Sequence, residues 1–480
     1  MKSSLAKNAI YKVILNVFNL LVPLFVGPYI AGLLTPELYG VYNRVYAEFQ
    51  IFFILGAFGI YNYGVREISK VKSDLEKTEK VFSSLFLIGI LSNLLVTVFY
   101  IIYIVIRGNG IDTYVYLTMI IQMVSNVFYI EFVNEAVENY AFITKKTILV
   151  RVLYFVTIFA FVRKPTDVVI YSVVVSMTVL LNNFISFCYL KRQFRFSFKN
   201  IEIKKHIIPL IVSLLLVNIE LLYTQLDKIM LSPFVNDIAV TEYTIPYTLV
   251  GMISTIPLSL LTVAIPRLSG YIGLGDKEAY LSTFKETVRV YFSILLPMAV
   301  GVLVLSKEIM WLYTKDVYTY AYTVLALAAV ARIVYGFESV VTNLMMYVWG
   351  FEKRLTLYLL YGGIFNGISN FLLVFTGKFS AFSSLFTTMV ACMLVIVLCV
   401  RYFERHTQMK TGLFGLNNLK YLFVSLLFIP IAQIFKSFGL GYWFNIISVV
   451  SGCVVVYGLF LIITKDPLIG MILKMVKRKK

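Results

Sequence analysis

The chain has 480 residues, of which 60% are hydrophobic and 14% charged, and its mean hydropathy is +0.85. Soluble domains are usually 45–50% apolar, so a soluble globular protein is excluded, and no run of alternating residues of the kind a membrane barrel needs is visible. The formal charge of +18 gathers in short clusters between apolar stretches, which points to membrane orientation rather than to a nucleic-acid partner.

About 20 apolar residues cross the hydrocarbon, and polar breaks divide the chain into about fourteen such stretches. The first six are predicted over 10–34, 41–64, 81–106, 113–134, 147–162 and 168–190. Pro23 and Pro28 interrupt the first and permit bending. Arg44 and Glu48 lie one helical turn apart in the second. At the end of the fourth, Glu131, Glu135 and Glu138 form a carboxylate stripe at helical spacing, read as a solvated helix end or as a cation site for sodium or a proton. A basic loop, 191–206, follows the sixth.

The seventh and eighth stretches, 207–231 and 243–265, carry Glu220, Asp227 and Lys228 on one helical face and Pro246 and Pro257 as further bends. Then come 288–312, 320–348 with Arg332 near its middle, 355–376, 380–400, 418–436 and 442–464. Placing Lys and Arg on alternate sides puts 33 on one side, 7 on the other and 3 inside spans. The bias places both termini in the cytoplasm. Cys188, Cys392, Cys399 and Cys453 sit in apolar runs, and only two histidines occur. No metal or other cofactor is therefore expected. No loop is large enough to fold as a catalytic domain, and no phosphate-cradling glycine loop occurs. The expectation is a transporter and not an enzyme, monomeric, with membrane lipids around it.

The chain also repeats itself. Tyr42 and Tyr46 precede Arg66 as Tyr243 and Tyr247 precede Arg267, with the same 24 residues from first tyrosine to arginine. An even number of spans per half makes this a parallel repeat. The fold class expected is all-α and polytopic: two six-helix bundles related by a parallel pseudo-two-fold, plus two C-terminal helices. The corresponding domains are 1–190, a linker 191–206, 207–400, and 401–480 with a basic tail.

At the repeated segments the sequence resembles the Wzx-type polysaccharide flippases of the multidrug/oligosaccharidyl-lipid/polysaccharide exporter superfamily. The matching residues are Leu34-Thr-Pro-Glu-Leu-Tyr-Gly-Val-Tyr42 with Gly64-Val-Arg-Glu-Ile-Ser69, then Ile208-Pro-Leu, Gln225-Leu-Asp-Lys-Ile-Met230 and Ile265-Pro-Arg-Leu-Ser269. One departure is Thr-Glu-Tyr243, where the family typically has a glycine before the tyrosine. The resemblance implies two bundles in a V, alternating access, and an undecaprenyl-diphosphate-linked oligosaccharide as substrate, either a capsule repeat or a teichoic-acid precursor. A peptidoglycan-precursor flippase and a small-molecule antiporter of the same superfamily are the alternatives. A membrane glycosyltransferase or polymerase is disfavoured by the missing loop.

Ionisable groups inside spans usually face a water-filled interior and mark substrate or ion pathways. Arg44, Lys228 and Arg332 are therefore the expected ligands of the substrate diphosphate, because cations, Arg above all, match phosphate. Glu48, Glu220 and Asp227 are the expected gate or ion-coupling carboxylates, with Arg44 paired either locally to Glu48 or across to Glu220 or Asp227.

Overall fold

The structure is a computed structural model that describes residues 5–194, 196, 201–466 and 468, and side chains other than those of 5–10, 12–14, 16–17 and 215–224. No strand occurs among the described residues. All fourteen apolar stretches carry helix, and among the described residues ten helical stretches are long and apolar enough to cross a membrane. The protein is a multi-pass helical membrane protein, since in lipid the backbone must satisfy its own hydrogen bonds.

The chain divides into two compact units, Met1–Thr241 and Glu242–Lys480. The first holds α1 (Leu5–Leu33), α2 (Pro36–Ala57), α3 (Ile60–Val71), α4 (Leu75–Arg107), α5 (Ile111–Val127), α6 (Glu131–Ala136), α7 (Tyr140–Phe161), α8 (Val168–Lys191) and α9 (Ile203–Phe234). The first turn of α10 (Asp237–Gly273) also falls within it. In α4 the lipid-facing side is plain: Leu94, Leu95, Val98 and Ile102 are exposed, and Val105 is 79% exposed.

In this unit two of the expected single spans are broken. Between α2 and α3, Phe58 and Gly59 both take positive φ, +50° and +68°. Glycine is required at 59, because a Cβ there would lie 2.6 Å from the Leu214 nitrogen of α9. This close approach brings the Ser213 hydroxyl to the Gly59 carbonyl at 3.0 Å, and α9 packs on α2 and α3. Between α5 and α6, residues 128–130 leave the helix. Ile60, Phe82, Phe132, Val133, Leu190 and Leu210 fill the core below the two breaks. Outside the spans, Lys80 at 2.7 Å and Lys205 at 3.0 Å hold the Glu202 carboxyl down to about 2 and tie the end of the basic loop to α4.

In the second unit the long α10 continues through Pro246, Pro257 and Pro266. It is followed by α11 (Lys277–Val304), α12 (Ser306–Thr314) and a 3-10 turn, Thr319–Ala321. Next come α13 (Tyr322–Val340) running into a π-helical segment, Val341–Tyr347, then α14 (Glu352–Phe375) and α15 (Ala381–Thr407). The last stretches form α16 (Leu416–Ser425), α17 (Phe428–Ser437) and α18 (Tyr442–Ile463). Buried polar contacts fasten these helices to α11 and α12: Lys436 Nζ meets Glu308 at 2.8 Å, and the Tyr457 hydroxyl donates to the Ser293 carbonyl at 2.6 Å.

Candidate functional site

The segment Leu34–Tyr42 is a helix start. Thr35 caps α2 by accepting from the Leu38 N–H, and Pro36 occupies the first helical position, where its missing N–H costs nothing. Gly40, one turn on, lets α2 press against the chain at Asp237, since a Cβ would stand 2.4 Å from the Asp237 carbonyl oxygen. Asp237 thereby comes within reach of Arg44.

Arg44 is 8% exposed and each of its three nitrogens is engaged. Nε donates to Asp237 Oδ1 at 2.7 Å, one terminal nitrogen to Asp112 Oδ2 at 2.5 Å and to Asp237 Oδ2 at 3.4 Å, and the other to the Tyr116 hydroxyl at 3.2 Å. Tyr116 in turn donates to Glu48 Oε2. The local Arg44–Glu48 pair expected from the sequence is thus replaced by a relay through a tyrosine. The remaining Glu48 oxygen, Oε1, is buried without a partner. A guanidinium already committed to two carboxylates has little left for a phosphate, so Arg44 in this structure closes a network rather than offering a site.

Arg44's ion pairs do not include Asp227, which is fully buried beside a half-buried Lys228. Both of those residues have interactions of their own. The Glu220 side chain lies outside the described residues. Asp112 and Asp237, the partners that the sequence reading missed, sit in the first turns of α5 and α10. Both lie between the apolar stretches expected from the sequence. Their signal was present: the charge alternation puts both on the same side as the outer end of α2.

Arg332, on α13, is the opposite case. It is half-buried, its guanidinium carbon stands 5.7 Å from the Tyr335 ring centre, and its Nε is buried with no hydrogen-bond partner. It lines a cavity of about 80 Å³ together with Tyr247, Val250, Gly251, Ala328, Tyr335 and Leu385. Tyr291 stands in the field of both Arg332 and Glu338. Gly336 brings α13 close to α11 here, for a Cβ would strike the Leu295 side chain.

The carboxylate stripe is dispersed. Glu138 has φ +61°, past the end of α6, so the helical spacing that joined the three fails. Glu131 Oε2 meets buried Lys146 at 2.7 Å and accepts from Ser186, Glu138 pairs with exposed Lys72 at 2.7 Å, and Glu135 faces Tyr61. Three carboxylates with three separate partners do not make one cation site. Among the described residues, no cluster of three or more His, Cys, Asp or Glu could hold a metal.

The internal repeat extends to side-chain geometry. Tyr42 and Tyr46 stack with ring centres 5.9 Å apart at 14°, and Tyr243 and Tyr247 do so at 5.9 Å and 16°. The repeated arginines differ in their surroundings. Arg66 pairs with the neighbouring Glu67 at 3.2 Å, whereas Arg267 has Leu268 there and donates to the Tyr271 hydroxyl at 3.0 Å.

Residues 5–271 match the family described as polysaccharide biosynthesis protein. No curated protein sequence matches the chain. Among solved structures, the lipid II flippase MurJ in an inward closed conformation is 14% identical, with a TM-score of 0.70 over 97% of this chain and 100% of that one. A multidrug resistance MATE family transporter of the MOP superfamily, inward-facing, is 12% identical, with a TM-score of 0.65 over 84% of this chain and 99% of that one. An outward-facing structure with the same description gives 11%, 0.58, 84% and 93%. The fold is therefore that of the MOP-superfamily transporters.

Proposed function

The chain belongs to the polysaccharide biosynthesis protein family, and we propose that it is a flippase for an undecaprenyl-diphosphate-linked oligosaccharide. It moves the head group from the inner to the outer leaflet of a bacterial cytoplasmic membrane by alternating access, with both termini cytoplasmic. The observation that carries the reading within the family is Arg332: a buried guanidinium nitrogen without a partner, beside a cavity lined by tyrosines. A planar guanidinium can give a phosphate two parallel hydrogen bonds, and tyrosine rings and hydroxyls suit sugars. The energetics need no pump, because each negative charge leaving a negative interior gains about 2.3 kcal/mol per 100 mV. A diphosphate head gains roughly twice that. A capsule repeat and a teichoic-acid precursor both meet this chemistry.

A second reading has the likeness to MurJ over the full length of both chains in its favour. In it the head group is the peptidoglycan precursor, carried on a lipid diphosphate. The two readings separate in vesicles holding the purified protein. A fluorescent undecaprenyl-diphosphate oligosaccharide supplied to one leaflet should become accessible to a lectin on the other, and Arg332→Ala at equal protein density should slow this. Movement of lipid II alone would establish the second reading. Movement of neither lipid would overturn both.

A further inference from the structure

We infer that the groove between α10 and α11 holds one membrane phospholipid whose head carries both a phosphate and a primary ammonium, of the phosphatidylethanolamine kind. The site lies within the C-terminal unit and apart from the Arg332 cavity. It does not depend on which lipid the protein transports.

α10 and α11 are consecutive helices joined by the turn 274–276, and a space of about 280 Å³ opens between them. That is near the lower end of ligand-pocket sizes. Leu260, Val263 and Arg267 line it from α10, and Thr283, Glu286 and Val290 line it from α11. Each trio has the spacing i, i+3, i+7, so each shares one helical face. Both faces meet one space across a short turn, so the helices run back along each other. Polar then stands opposite polar, and apolar opposite apolar. Arg267, Thr283 and Glu286 lie toward the turn, and Leu260, Val263 and Val290 lie one to two helical turns farther from it. Val263 is 78% exposed, a wall for hydrocarbon to cover. A polar end at the membrane boundary above an apolar wall is the order in which a phospholipid presents its head and its chains.

The charges say which head fits. Arg267 and Glu286 stand in each other's field but form no ion pair among the described residues. Arg267 donates through Nε to the Tyr271 hydroxyl at 3.0 Å, and its terminal nitrogens have no protein acceptor among those residues. The internal repeat shows what is missing: Arg66 has Glu67 beside it, where α10 has the buried Leu268. A cation and an anion held apart in one groove match a head that carries both charges. The Arg267 fork suits the phosphate, and Glu286 accepts from the ammonium. A head that is only anionic meets repulsion from Glu286, and a choline head has no N–H to give it. Farther back along its length, α10 lines the Arg332 cavity through Tyr247, Val250 and Gly251. A lipid seated in the groove therefore braces a helix that also shapes that cavity.

The test is thermal unfolding of the purified full-length protein in detergent micelles doped with one lipid at a time, all with the same acyl chains. Binding to the folded state alone raises the melting temperature saturably. Wild type should reach half of its rise at about a tenth of the mole fraction of phosphatidylethanolamine that it needs of phosphatidylglycerol, the worth of one charged hydrogen bond. Phosphatidylcholine should fall between them. Glu286→Lys should reverse the order, and Arg267→Gln should weaken the response to all three about tenfold. Both positions are exposed, so neither change disturbs the core. A wild-type protein that responds equally to the three lipids has only unselective lipid around it, and the proposal fails. It fails also if wild type prefers phosphatidylglycerol. A preference that survives Glu286→Lys, or a response untouched by Arg267→Gln, places the lipid elsewhere and overturns it equally. No transport is measured, so each result leaves the flippase reading untouched.

Discussion

Arg44 in the N-terminal unit and Arg332 in the C-terminal unit carry the same group in opposite settings. Arg44 directs Nε and both terminal nitrogens at Asp112, Asp237 and Tyr116, so the protein itself offsets the cost of burying its charge. Arg332 keeps an unsatisfied Nε beside tyrosines and a cavity, so part of its hydrogen-bonding capacity is held open. A buried arginine with all its partners in the protein belongs to the fold. One that keeps a nitrogen unbonded retains hydrogen-bonding capacity that the fold does not use. Position in the sequence does not separate the two kinds, since both interrupt apolar spans.

The sharpest break of this contrast is removal of each arginine in turn. Arg44→Ala leaves half-buried Asp112 and Asp237 without their counter-charge and should destabilise the protein by up to about 3–5 kcal/mol, read as a fall in the unfolding midpoint and in membrane abundance. Arg332→Ala should leave the midpoint within about 1 kcal/mol. Its transport rate in vesicles should fall roughly 10- to 100-fold, the loss of one or two charged hydrogen bonds of about 1.5–3 kcal/mol. Arg332→Lys keeps the charge without the fork and should retain an intermediate rate. If Arg332→Ala unfolds as readily as Arg44→Ala, Arg332 ties helices together and the contrast disappears.

Much of the fold was legible because apolar length is a bulk property of a segment: every expected stretch carries helix. The breaks were not legible. The one between α2 and α3 depends on a close approach of Gly59 to the backbone of α9, a contact between residues more than 150 positions apart. The charges inside spans were found, but their partners were not, because helical spacing reports only neighbours on the same helix. Arg44's partners Asp112 and Asp237 are 68 and 193 residues away. Glu131, Glu135 and Glu138 misled for the converse reason. Their spacing assumed one continuous helix, and the positive φ at Glu138 ends that assumption.

The smallest effect expected concerns how far the Arg44 network reaches. Glu48 lies one turn from Arg44 on α2, yet the structure connects them through Tyr116, whose hydroxyl accepts from Arg44 and donates to Glu48. Tyr116 is fully buried, so no water stands ready to replace it. A direct pair and a relayed pair make different demands on a double-mutant cycle. In the wild-type background, Arg44→Ala and Glu48→Ala should couple by about 1 kcal/mol in unfolding free energy, the order found for residues sharing one hydrogen-bond network. Repeated on Tyr116→Phe, which keeps the ring and removes only the hydroxyl, the coupling should fall to within about 0.3–0.5 kcal/mol of zero, the additivity of independent sites. Coupling between Arg44 and Asp112 should survive Tyr116→Phe, because that ion pair is direct at 2.5 Å. Coupling of Arg44 to Glu48 that persists without the hydroxyl would mean a direct charge interaction along α2. The network would then be two local pairs that happen to share a tyrosine.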